Sequence, residues 1–283
     1  MTSRVGEAAT ASRYVRPGAG VPVDARRRRL LRHWRHRRHL SQLDLAGRAD
    51  VSPRHLSFVE TGRSRPSPEL LLHLAGQLEV PLRERNALLL AAGYAPAYAE
   101  TQLDAPELAT VRSALESVLA GHDPYPAVVV DRRWDVVALN AGASILTEGV
   151  GSALLAPPVN ALRLTLSPDG LAPRIVNLGE WSAHLLDRLH RQVLLTGDEE
   201  LSTLLEELRA YPGATEDHGP LPAEAPPALA VPLRLRADRG ELAFVSTITT
   251  FGTALDVTLA ELALEAFLPA NAETAAALRR DQP

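Results

Sequence analysis

Residues 40–68, LSQLDLAGRADVSPRHLSFVETGRSRPSP, read as two short helices around a tight turn, followed by an arginine loop and the start of a third helix. Ser41, Ser52 and Ser67 each stand where a helix N-cap is expected. Asp44, three residues after Ser41, imitates a capping box, and Pro68 and Glu69 suit the positive end of the third helix. Leu45, Ala46, Ala49, Val51, Leu56 and Val59 fall at helical spacing or in the turn, enough to bury one face of each helix. That leaves Pro53, Arg54, His55, Ser57 and Phe58 facing outward beside the loop Thr61-Gly62-Arg63-Ser64-Arg65. A helix face of this kind is poor core material and suits a groove of double-stranded DNA.

The pattern Leu40-Ser41-Gln42, Leu45-Ala46, Val51-Ser52, Leu56-Ser57, Glu60, Gly62-Arg63, Pro66-Ser67 is similar to the xenobiotic-response-element family of helix-turn-helix regulators, which includes the lambdoid phage repressors. The resemblance implies that Gln42 touches a phosphate or base and that Ser52 caps the recognition helix and contacts phosphate. It also implies that Pro53, Arg54, Ser57 and Phe58 occupy base-reading positions, with Arg63 and Arg65 in the adjoining loop. Pro53 and Phe58 depart from the polar residues common there, so Arg54 is the main candidate for a bidentate contact to guanine; Phe58 is either a partner for a thymine methyl or a partly buried core aromatic. The family also pairs an arginine of the preceding helix with the glutamate that ends the recognition helix, here Arg35 and Glu60, in a scaffold role.

The net charge of −4 divides unevenly. Residues 1–92 hold 17 arginines against 8 acids, a balance of +9, and residues 93–283 hold 13 against 26, a balance of −13. A polyanionic partner therefore fits the first third of the chain alone. At 283 residues, two domains are the natural expectation. Every basic residue is arginine, and no cysteine is present, which excludes disulfides, thiolate catalysis and cysteine-based zinc sites. The longest uncharged apolar stretches, Ala87–Ala99 and Leu242–Leu255, are 13 and 14 residues, below the roughly 18 of a membrane span. No signal-peptide core precedes them, and a cytoplasmic location without membrane contact is the simplest expectation.

The expected organisation is a disordered arm at 1–23, a five-helix, all-α DNA-binding domain of the lambda-repressor type at 24–94, a linker at 95–106 and an α+β domain at 107–283. In the last, a helix over 107–120 precedes short strands at 127–130 and 136–139 in a hairpin about Asp131-Arg132-Arg133. Helices at 181–195 and 199–211 and a loop over 212–227 follow. A second hairpin joins 229–235 to 242–250 about Asp238-Arg239-Gly240, and helices at 255–267 and 272–280 close the chain. This order predicts an antiparallel sheet and is compatible with a PAS-like sensor. The stretches YPAVVVDRRWDVVALN (125–140) and TFGTALDVTLAEL (250–262) resemble the MmyB-like ligand-binding domain of actinobacterial regulators, found behind this same helix-turn-helix type. The resemblance implies a cavity for a small apolar effector, with a fatty acid the best precedent.

No nucleophile elbow, P-loop or dinucleotide fingerprint occurs, so neither catalysis nor a cofactor is expected. His33, His36 and His39 lie among Arg32, Arg35, Arg37 and Arg38, which repel a cation, so no metal site is expected either. For ligand contacts, Trp134, Asn140, Trp181, His184, Phe244 and Phe251 stand out as large or polar side chains on a mostly aliphatic domain. Arg174 or His184 is the candidate for a carboxylate head group. The whole reads as a dimeric transcription factor, a homodimer joined by its acidic C-terminal domain. Two alternatives stay open: a C-terminal enzyme tethered to DNA, and a helix-turn-helix that docks a protein.

Overall fold

The computed structural model describes residues 23–214, 231–238 and 240–280. The expected arm at 1–23, apart from its last residue, lies outside them, as do most of the 212–227 loop, the start of the 229–235 strand and Arg239. The described residues group into two units, 23–80 with 87–95, and 81–86 with 96–280.

The first unit is built from α1 (Val23–Arg37), α2 (Gln42–Arg48), α3 (Pro53–Thr61), α4 (Pro68–Gln77) and the second half of α5 (Leu82–Ala91). Its core is Leu31, Trp34, Leu45, Ala46, Leu56, Val59, Leu74 and Leu78 with their neighbours. Three of its helices stop without glycine. His39, Asp50 and Glu79 take left-handed backbone at φ of 53°, 50° and 50°. The next residue then donates its N–H backwards: Leu40 to Arg35 O at 3.1 Å, Val51 to Ala46 O at 3.0 Å, Val80 to Ala75 O at 2.9 Å. Each donor is apolar and packs on the core, so the helix stop and the next core contact form together.

In the second unit, α6 (Ala109–His122) leads into strands β1 (Ala127–Val130) and β2 (Val136–Leu139). Then come α7 (Ala161–Leu166), α8 (Leu178–Thr196), α9 (Glu199–Arg209), β3 (Leu233–Ala237), β4 (Gly240–Thr250), α10 (Val257–Ala260), β5 (Ala263–Pro269) and α11 (Ala272–Arg280). The strands form one antiparallel sheet in the order β2-β1-β5-β4-β3. Both expected hairpins are present, the second closing with Ala237 opposite Gly240.

The helix expected over 255–267 is not. One helical turn, capped by Asp256, whose side chain accepts from Thr258 N at 2.8 Å, gives way to β5, the central strand. Leu264 and Ala266 pack with Leu115 and Leu119 of α6 on one face. Phe267 joins the leucines of α7, α8 and α9 on the other, and Glu265, on that same side, bonds to α8. A strand covered on both faces loses the polar alternation that marks a half-exposed one. Its Ala, Leu and Glu content favours helix in isolation, and sheet packing overrides that preference.

Candidate DNA-reading surface and effector site

The serines that open the helices act as caps. Ser41 Oγ accepts from Asp44 N at 3.1 Å while Asp44 Oδ2 accepts from Ser41 N at 2.8 Å. Hydrogen bonding from the Ser41 hydroxyl and the Ser41 backbone N–H holds the Asp44 carboxyl below its usual range. Ser52 Oγ accepts from His55 N at 3.1 Å, with Pro53 in the first turn of α3, and Ser67 Oγ accepts from Leu70 N at 3.3 Å. Capping α3 this way directs its free N–H groups and positive end outward, the arrangement that receives a phosphate.

Behind α3, Arg35 grips Glu60 through two parallel bonds, Nε to Oε1 at 2.7 Å and Nη2 to Oε2 at 3.0 Å, in a buried setting. Gln42 Nε2 donates to Glu60 Oε2 at 2.7 Å and Arg35 Nη1 to Leu40 O at 2.8 Å, so the pair joins α1, α2 and α3. The Gln42 amide is thereby engaged inside the unit.

On the outer face, Pro53 and Arg54 are exposed while Ser57 and Phe58 are half-buried. The Phe58 ring lies between two guanidiniums: Arg54 Cζ is 5.3 Å and Arg63 Cζ 5.9 Å from its centroid. Among the described residues neither arginine has a carboxylate partner. Gly62, at φ 80°, turns the chain so that Arg63 returns over α3. Arg28 Nη1 donates to Thr61 O at 2.8 Å, and a Cβ on Gly62 would sit 2.8 Å from Arg28 Cδ. Arg65 is used differently. Its Nη2 donates to Ala92 O at 3.1 Å and its guanidinium lies 5.0 Å from the Tyr94 ring, which ties the loop to the end of α5.

In the second unit, Trp181 and Phe244 are in the apolar core. Asn140 is buried but engaged by backbone: Oδ1 accepts from Ala127 N and Ala143 N at 2.9 and 3.1 Å, and Nδ2 donates to Tyr125 O at 2.9 Å. It fastens the end of β2. Phe251, placed by sequence at a core or cavity wall, is 39% exposed just beyond β4. The strand ends at Thr250, and the bend that follows carries the ring outward. Arg174 donates to Ile145 O, Glu148 O and Arg236 O at 3.0, 2.8 and 3.1 Å, joining the segment after β2 to strand β3.

A set of side chains that sequence reasoning passed over surrounds Trp134, which is buried with a left-handed backbone at φ 68°. For a bulky aromatic this is a strained conformation, held by its surroundings. Its Nε1 donates to Gln192 Oε1 at 2.8 Å, and the Arg188 guanidinium stacks 4.2 Å from the ring. Arg188 Nη1 donates to Glu265 Oε2 at 3.1 Å. Trp181, His184 and Arg188 are three and then four residues apart on α8, one face of the helix. The His184 ring lies 5.5 Å from that of Trp181. Burial, then the Arg188 charge, holds the His184 pKa below its ordinary value. The legible signals were that spacing and a lone charge in the apolar run ALEAFL.

Among the described residues no cluster of His, Asp or Glu is arranged to hold a metal ion, and no helix is long and apolar enough to cross a membrane. Residues 111–280 match the family model described as the MmyB-like transcription regulator ligand binding domain, and residues 31–85 match the model described as helix-turn-helix. No curated protein matches the chain.

Proposed function

The chain belongs to the MmyB-like transcription regulators, DNA-binding proteins with a ligand-binding domain, and from that premise we propose how its parts divide the work. Residues 24–94 read a specific DNA sequence. Residues 95–106 link them to 107–283, which bind a small apolar, fatty-acid-like effector and pair two subunits as a cytoplasmic homodimer that regulates rather than catalyses. Two recognition helices set roughly 34 Å apart enter successive major grooves. The effector acts by binding the DNA-competent and incompetent arrangements unequally.

The observation that carries the DNA half is the Arg54–Phe58–Arg63 cluster, two guanidiniums that have no carboxylate partner among the described residues, set on one ring at the exposed face of a capped helix. Arg54 reaches guanine and Arg63 the neighbouring phosphates, with Ser52 and Ser57 beside them. DNA affinity is expected to fall with salt at a slope of about 0.9 per phosphate contact. Arg54→Ala combined with Arg63→Ala should lower operator discrimination by roughly 1 to 3 kcal/mol, followed by fluorescence anisotropy. A flat salt response, or unchanged binding by the double variant, overturns this reading.

A further inference from the structure

We propose that the effector's polar end is a neutral carbonyl-type acceptor, an esterified or amidated acyl group rather than a free acid, received by the Nε1–H of Trp181. The proposal rests on the reading of residues 107–283 as an acyl-effector domain.

Trp181 is 1% exposed, and among the described residues its Nε1 has no hydrogen-bond partner. Trp134, the other buried indole of the unit, donates to Gln192. A buried N–H almost always finds an acceptor, and the apolar cluster to which Trp181 belongs is made mostly of leucine side chains, which offer none. A bound molecule that brings an acceptor would satisfy this donor.

The charges nearby decide what kind of acceptor it is. Two turns along the same face, Arg188 is already paired with Glu265, which is 5% exposed and bonded at 3.1 Å. His184, between them, is held toward its neutral form by burial and by Arg188. On the exposed side of α8, Arg191 is answered by Asp187 at 3.1 Å. The site is thus close to neutral, and an incoming carboxylate meets the buried Glu265 charge with no cation left over. A carbonyl oxygen satisfies the Trp181 donor and brings no charge. There is an uncovered approach as well. Ile248 of β4 pairs directly with Glu265 on the same face of the sheet, yet it is 47% exposed. Ile248 offers an exposed apolar surface against which an acyl chain can lie.

The test uses the full chain with decanoic acid, methyl decanoate and decanamide near neutral pH, read by the shift in thermal unfolding and by indole fluorescence. The ester and amide are expected to bind about tenfold tighter than the acid. Trp181→Phe should weaken ester and amide binding about fivefold and leave the acid nearly unchanged. Glu265→Gln, which does not depend on Trp181 and keeps the side-chain shape, should narrow the gap by tightening acid binding. An acid that binds as tightly as the ester to the unsubstituted protein overturns the proposal, as does Trp181→Phe with ester affinity intact and a native far-ultraviolet spectrum. If none of the three probes binds while DNA binding stays salt-dependent, the acyl-effector reading itself fails, and this inference with it.

Discussion

Among the described residues the first unit buries the pair Arg35–Glu60 and the second sets Arg188 against the buried Glu265, and the two pairs are built differently. In the first unit, Arg35 and Glu60 meet through two parallel bonds, with Gln42 and the Leu40 carbonyl taking further capacity. In the second, Arg188 touches Glu265 through one bond and spends its flat face on Trp134. A two-bond, fully satisfied pair has one good geometry and suits a latch that holds a reading helix still. A one-bond pair on a strained aromatic has alternatives, and suits a domain whose task is to respond.

This contrast is open to measurement. The largest effect is expected from Glu60→Ala, which strands the buried Arg35 charge and should cost roughly 3 to 5 kcal/mol in denaturant unfolding of the first unit. Glu265→Ala should cost less, about 1 to 3 kcal/mol, because Arg188 keeps its stack. Equal losses at the two sites would erase the distinction. Phe58→Leu keeps the fold but removes the platform of Arg54 and Arg63. It should reduce operator discrimination by about 1 kcal/mol with little change in non-specific affinity, while Phe58→Tyr retains discrimination. The smallest effect concerns pH. His184 is held below its ordinary value of 6.5 by burial and Arg188. As pH falls through 6.5 the unfolded chain takes up a proton that the folded chain resists. Stability should therefore decline from there until the folded residue also titrates, and this limb should be weaker in His184→Gln.

The first unit was readable because its signals are local. A serine cap with Asp44 or Pro53 beside it identifies itself within four residues, and the face left over after the core is assigned is the one that carries Arg54 and Phe58. What escaped was which arginines remain available, since only the folded loop shows Arg65 tied to Ala92 and Arg63 left over Phe58. The second unit depends on distant pairings. Whether residues 263–269 form helix or strand is settled by β1 and β4 on either side, where Ala263 pairs with Val130, 133 residues back, and with Thr250, 13 residues back. The Trp134 cluster was hidden for the same reason: the arginine, the glutamine and the glutamate that surround the ring come from α8 and β5, and each is unremarkable in its own neighbourhood.

Gly62 sets a limit on how this surface can be rewritten. Any side chain there meets both an unfavourable left-handed backbone and the Arg28 stem. Selection for a new operator is thus free to explore positions 54, 57, 58 and 63 in combination, but a library that also randomises position 62 will return mostly proteins whose Arg63 no longer arrives over the helix. The hinge of the reading head is the part to leave fixed when its alphabet is changed.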